Sequence, residues 1–123
     1  MVRNVTRGAV IADCADVAST SAERRTGLLK HQGLSAGQGL WIVPCEAVHS
    51  FGMKFSIDLI YLDRRKRVKK TRSEMRPNRI SLCLLADSVL ELPVGTLAQT
   101  GTQAGDQLEL QFVEVRLEAR LNS

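Results

Sequence analysis

The chain has 123 residues, 44% hydrophobic and 24% charged, a balance that excludes a disordered segment and a length that suits one domain rather than two. Its formal charge of +4 is concentrated in residues 64–72 (RRKRVKKTR), which hold seven basic side chains and no acid. Elsewhere ten basic residues face thirteen acidic ones, so the surface is not uniformly basic as that of a nucleic-acid-coating protein would be.

The opening nineteen residues contain only a short apolar run, Ala9 to Ala12, broken by Asp13. This is too short for a signal peptide or a membrane helix, and a cytoplasmic protein is expected. Gly8 to Ile11 reads as a short strand, followed by a polar turn or second strand through Ala18. Thr20-Ser21-Ala22-Glu23 has the form of a capping box, so a short helix is predicted near residues 21–31, ending by Gly33. After the Gly37-Gln38-Gly39 turn, Leu40 to Val43 reads as a strand stopped by Pro44. Phe51 to Leu62 alternates: Phe51, Met53, Phe55, Ile57, Leu59 and Tyr61 share one face, with Gly52, Lys54, Ser56 and Asp58 opposite. A turn at Asp63 to Lys66 and a return through Val68 predict a hairpin with a basic tip. Residues 81–87 (SLCLLAD) read equally as helix or strand. Ser88 to Val94 alternates again, with Leu90, Leu92 and Val94 opposed to Val89 and Glu91. Gly95, Gly101 and Gly105-Asp106 mark tight turns. A last strand starts at Leu108 and changes phase after Phe112, as at a β-bulge. Many short strands and one short helix predict a mainly β fold, a small β-sandwich or barrel-like antiparallel sheet, as a single domain over residues 1–123.

Several ordered motifs resemble a known bacterial and archaeal family. They are Glu23-Arg24-x-x-Gly27-Leu28-Leu29, Gly39-Leu40-Trp41-Ile42-x-Pro44-Cys45, Val48-His49-x-Phe51-x-Met53 and Ile57-Asp58. Leu90-Glu91-Leu92-Pro93-x-Gly95-Thr96 and Gly105-Asp106 complete the set. Together they are similar to the domain of unknown function 192, over roughly residues 8–112. The resemblance implies a compact, mainly β sandwich and no established activity. Where relatives often carry a short glycine-containing turn, this chain has Arg64-Arg65-Lys66-Arg67.

Nucleotide-loop, zinc-protease and nucleophile-elbow motifs are absent, so neither a cofactor nor a metal is expected. The three cysteines, Cys14, Cys45 and Cys83, are widely spaced without a CxxC pair and suit reduced thiols. Cys45, His49 and Met53 form C-x3-H-x3-M, a soft-ligand set, but on an extended strand four residues span about 13 Å, too far for ligands of one metal. Met53 is therefore expected in the core. A Cys45–His49 pair on a loop could supply a reactive thiol. Arg24, Asp58 and Glu91 are polar members of apolar motifs. In one reading Arg24 forks onto a carboxylate and ties helix to sheet, and Glu91→Gln then costs stability. In the other they surround a polar cleft with His49.

The reading favoured is a non-catalytic domain that binds a small ligand or a protein through a cleft at Arg24, His49, Asp58 and Glu91. The alternative is a hydrolase-like enzyme using Cys45 with His49, or Asp58 with Glu91 as paired carboxylates. The basic tip, Arg64, Arg65, Lys66, Arg67, Lys69 and Lys70, is expected to be a solvated hairpin end, with nucleic acid or an anionic surface as the less favoured partner.

Overall fold

The computed structural model describes residues 1–29 and 31–112. Among these the chain runs β1 (Val2–Asn4), β2 (Ala9–Ala12), β3 (Cys14–Ala18), α1 (Ser21–Thr26), β4 (Gln38–Ile42) and β5 (Ala47–His49). It continues through β6 (Ile57–Leu62), β7 (Val68–Met75), β8 (Ile80–Leu82), β9 (Ser88–Pro93), α2 (Thr96–Thr100) and β10 (Leu108–Leu110). The fold is mainly β, as expected, with a second short helix and one parallel strand pair that the sequence does not announce.

The organising element is a five-stranded sheet in the order β3-β4-β9-β6-β7. Its β3–β4 pair is parallel and its other pairs antiparallel. Every residue of β6 is buried, which explains why its alternation fades at Ile60 and Leu62: both faces of a central strand lie under a second layer. On one face a three-stranded sheet, β10-β1-β2, packs with α2 over Ile60, Leu62, Leu90 and Leu92. The opposite face buries Ile57, Leu59, Tyr61 and Val89 together with Leu28, Leu40, Ile42, Val48 and Met53. Each large apolar side chain withdrawn from water in this way contributes about 1.5–3 kcal/mol.

The layer over that second face is mostly loop. The α1 capping box forms as read: Thr20 Oγ1 accepts from the Glu23 amide at 3.1 Å, and Glu23 Oε1 accepts from the Thr20 amide at 3.1 Å. The helix is shorter than predicted because it stops at Gly27, whose φ of +47° departs from helical geometry. β4 ends before a cis Val43–Pro44 bond. The strand expected to begin at Phe51 begins at Ile57 instead, and residues 51–56 form turns. Gly52 has φ +82°, and Ser50, fully buried, anchors the segment. Its Oγ donates to the Arg76 carbonyl at 2.6 Å and accepts from the Arg79 amide at 2.9 Å. Phe51, phased to the core in the alternation, is exposed as a result.

Residues 81–87 are neither helix nor one strand: Ser81 and Leu82 belong to β8, paired with β5, and a turn follows. At the basic tip the turn is not a tight glycine type. Lys66 takes φ +66°, and Asp63 Oδ1 accepts from the Arg65 and Arg67 amides at 2.9 and 3.0 Å. Gly95 and Gly101 bracket α2 with φ of +100° and +68°. The phase change expected after Phe112 lies outside the described residues.

Candidate functional site

Residues directly opposite in an antiparallel pair project to the same face of a sheet. Between β6 and β9 the register sets Leu59 against Glu91 and Asp58 against Leu92. Glu91 and Asp58 therefore project to opposite faces, and the paired-carboxylate arrangement is not formed.

Asp58, buried, faces the layer containing α2. Its Oδ2 accepts from the Gly95 and Leu97 amides at 3.2 and 3.0 Å, and its Oδ1 from the Glu74 amide at 2.9 Å. These bonds hold the turn entering α2 against β6 and β7. Asp58 is absent from the cleft lining, so the placement of this residue beside Arg24, His49 and Glu91 is corrected: the carboxylate is occupied by backbone amides on the far side of the sheet.

Glu91 projects the other way, between Leu40 on β4 and Leu59 on β6. It is 3% exposed and has neither hydrogen bond nor ion pair among the described residues. The ion pair that would tie α1 to the sheet is likewise not formed there: the Arg24 guanidinium contacts Ser21 Oγ within its own helix, at 3.4 Å. Burial alone pushes the Glu91 carboxyl up to about 7. Gly27 lies beside it, and its positive φ, not a lack of space, is what calls for glycine there. A Cβ at this position would stand 3.7 Å from Glu91 Oε1.

Above Glu91 a groove of about 1030 Å³ opens between α1, the turn after β4 and β5. Arg24, Cys45, His49 and Glu91 line it, with Leu28, Ile42, Val48 and Met53 supplying apolar wall. Backbone bonds fix the far side: the Cys45 amide donates to the Asp87 carbonyl at 2.8 Å, and the Cys83 amide to the Glu46 carbonyl at 2.8 Å. Asp87 and Glu46 also reach the lining, and the sequence did not single them out. Gly27 belongs to one of the sequence motifs, but its positive φ beside a buried acid is visible only in three dimensions.

The Cys45–His49 pair does not make the contact a thiol nucleophile needs. The Cys45 thiol donates to the Ala47 carbonyl at 3.1 Å. Burial pushes this thiol up from its ordinary value and the Glu91 carboxylate adds to the rise, outweighing the Ala47 backbone and Arg24. The His49 ring is exposed and stacks on Phe51 with centroids 5.5 Å apart. Met53 packs in the core as expected, but from a turn. The strand-length argument separating it from Cys45 and His49 therefore does not apply, and all three border the groove. Among the described residues no three His, Cys, Asp or Glu side chains cluster as ligands of one metal, and no helix is long and apolar enough to cross a membrane.

A mixed-sheet β-sandwich with a loop-built groove over a buried acid is thus the class that fold and site define. The chain belongs to the family described as DUF192, Uncharacterized ACR, COG1430, whose model matches residues 2–110. Among curated proteins none matches. Two solved structures share the fold. One is a protein of unknown function from Novosphingobium aromaticivorans, 23% identical, with a TM-score of 0.71 over 78% of this chain and 74% of that one. The other, from Sinorhizobium meliloti, is described as a "putative transcription regulator"; it is 20% identical, with a TM-score of 0.72 over 77% of this chain and 79% of that one. At such identities the likeness concerns the fold alone.

Proposed function

We propose that the domain is a non-catalytic binding module whose groove takes a small ligand presenting an N–H or ammonium donor to Glu91. The observation that carries this reading is a 3% exposed carboxyl without a partner among the described residues, set in the wall of an open groove. A buried polar group without a partner costs about 1–3 kcal/mol, more if charged. A donor from outside the chain removes that cost, and an ammonium group also favours the ionised acid. Leu28, Ile42, Val48 and Met53 offer apolar surface for the carbon skeleton of such a ligand. Arg24, half-buried at the rim, is placed to accept an acidic substituent.

The enzymatic alternative is less well supported, because Cys45 is held as a thiol and the two carboxylates lie on opposite faces. Glu91 could still carry a proton at neutral pH, but the groove places no activated nucleophile beside it.

The test is a thermal-shift and calorimetric panel of primary amines and guanidines of graded chain length, with their hydroxyl analogues, at pH 6 and 8. Amines are expected to stabilise the wild type more at pH 8, where Glu91 is ionised, and to have little effect on Glu91→Gln. A response equal in both proteins, or no response from any amine, would remove this reading.

A further inference from the structure

The basic segment and the apolar residues 80–85 are adjacent in the fold. Lys70 and Arg72 on β7 pair with Tyr61 and Leu59, so they project toward the layer that holds β8. There Lys70 Nζ donates to the Leu82 carbonyl at 2.8 Å and Arg72 Nη1 to the Ile80 carbonyl at 2.9 Å. Arg64 and Arg65 border a shallow hollow of about 390 Å³ together with Leu85, Ala86 and the carboxylates Asp63 and Asp87. Amid these cations stand four apolar side chains that the core leaves out: Ile80 is 61% exposed, Leu82 49%, Leu84 73% and Leu85 77%. Leu84 and Leu85 form the crown of a turn closed by the Ala86 amide on the Cys83 carbonyl at 3.0 Å. The neighbouring acids are already approached by cations, Asp63 by Lys69 at 3.5 Å and Asp87 by Arg64 at 3.8 Å.

We propose that this face docks on an anionic phospholipid bilayer, with Leu84 and Leu85 entering the acyl boundary and Arg64, Arg65, Lys70 and Arg72 contacting headgroup phosphates. Scattered exposed apolar residues are ordinary, but adjacent ones at a projecting turn with a basic collar are not. The collar requires a negatively charged partner, which argues against a second copy of the chain: a two-fold contact through this patch would bring the same cations onto each other. Nucleic acid would satisfy the cations but has no use for aliphatic side chains, and the crown carries no aromatic ring on which a base could stack. An acidic protein would need a pocket shaped to the crown. A fluid bilayer accepts a projecting apolar turn without complementary shape and supplies the charge at the depth where the collar sits. Leu84 and Leu85 belong to neither core cluster.

The full chain is tested by flotation with phosphatidylcholine vesicles and with vesicles containing about 30% phosphatidylglycerol, the anionic component that the collar should require. Flotation is expected only with the anionic vesicles, weakening as salt rises. Replacing both crown leucines, Leu84→Ser with Leu85→Ser, should leave the melting temperature unchanged and lower the apparent partition coefficient by about tenfold or more. Arg64→Gln with Arg65→Gln should lower it and flatten its salt dependence. A Leu84→Trp variant should show an emission blue shift on anionic vesicles and none on neutral ones. Five results would overturn the proposal, four of them from the vesicle and oligomer measurements. These four are absence of flotation, equal flotation with both vesicles, anionic binding undiminished by the leucine pair, and a concentration-dependent dimer dissolved by that pair. Binding of double-stranded DNA that displaces the vesicles and ignores the leucines would do so as well.

Discussion

The buried acid at position 91 makes a prediction whose sign runs against ordinary experience with glutamate in a folded core. With a folded-state value near 7 against an ordinary 4.5, Glu91 remains protonated in the native protein while the unfolded chain ionises. The unfolded state therefore binds fewer protons between pH 4.5 and 7, and stability falls as pH rises through that window. Below it the group contributes no penalty. Above it the penalty is complete, about 3 kcal/mol for a shift of this size at 1.36 kcal/mol per unit. Gln has nearly the same shape, cannot ionise, and presents a comparable set of polar atoms to the groove. Glu91→Gln should therefore differ little from the wild type near pH 5 and exceed it near pH 8 by about 3 kcal/mol, an upper figure, or about 10 °C in melting temperature for a chain of this length. Urea denaturation at pH 5, 6.5 and 8 measures the difference directly. An ion pair between helix and sheet would make the opposite prediction, a variant weaker at neutral pH. A wild type more stable than Glu91→Gln at pH 8, or a difference that does not change with pH, would refute the argument that this carboxyl is buried and unpartnered.

Two other outcomes separate architecture from site. Asp58→Ala removes the acceptor for three backbone amides and should cost about 2–4 kcal/mol in denaturant unfolding, while amine binding in the groove persists in whatever fraction is folded. A loss of binding in fully folded Asp58→Ala protein would return this residue to the cleft. Cys45, its thiol raised by burial, should be alkylated by iodoacetamide more slowly at neutral pH than an unfolded-chain cysteine, with a rate still rising above pH 9. Mass spectrometry of the Cys45 peptide distinguishes it from Cys14 and Cys83, and rapid, pH-independent modification would revive the nucleophile.

Much of the fold is legible in the chain because its signals are local. The capping box needs only Thr20 and Glu23, three residues apart. The alternation of Ser88 to Pro93 needs only the pleat of one strand, and it correctly opposes Leu90 and Leu92 to Val89 and Glu91. Val94, expected on the face of Leu90, lies past the strand end and is exposed. The same logic fails where a local pattern meets a competing demand. Phe51 to Phe55 alternates as a strand would, yet Ser50 is tied to the Arg76 and Arg79 backbone and Gly52 turns the chain at positive φ. Alternation without a neighbouring strand to pair with does not make a strand. Residues 81–87 were ambiguous for a related reason: a short apolar run carries no period long enough to decide, and Leu84 and Leu85 turn out to face solvent.

What the sequence determined by itself is therefore the mainly β character, the capping box at Thr20, the two faces of β6 and β9, and the family to which the motifs belong. The composition of the groove was half-determined: Arg24, Cys45, His49 and Glu91 stand out as polar or reactive residues within apolar motifs, and they do line one cavity. The relation between strands was left to tertiary structure. Period two states that Asp58 differs in face from Leu59, and that Glu91 differs from Leu92. It says nothing of whether Asp58 and Glu91 agree, because that depends on the register between β6 and β9. The register sets Leu59 opposite Glu91, sending one acid to the backbone amides entering α2 and the other, without a partner among the described residues, to the groove. Pairing across a sheet is a long-range property, and it decided which of two similar carboxylates accepts backbone amides and which lines the groove.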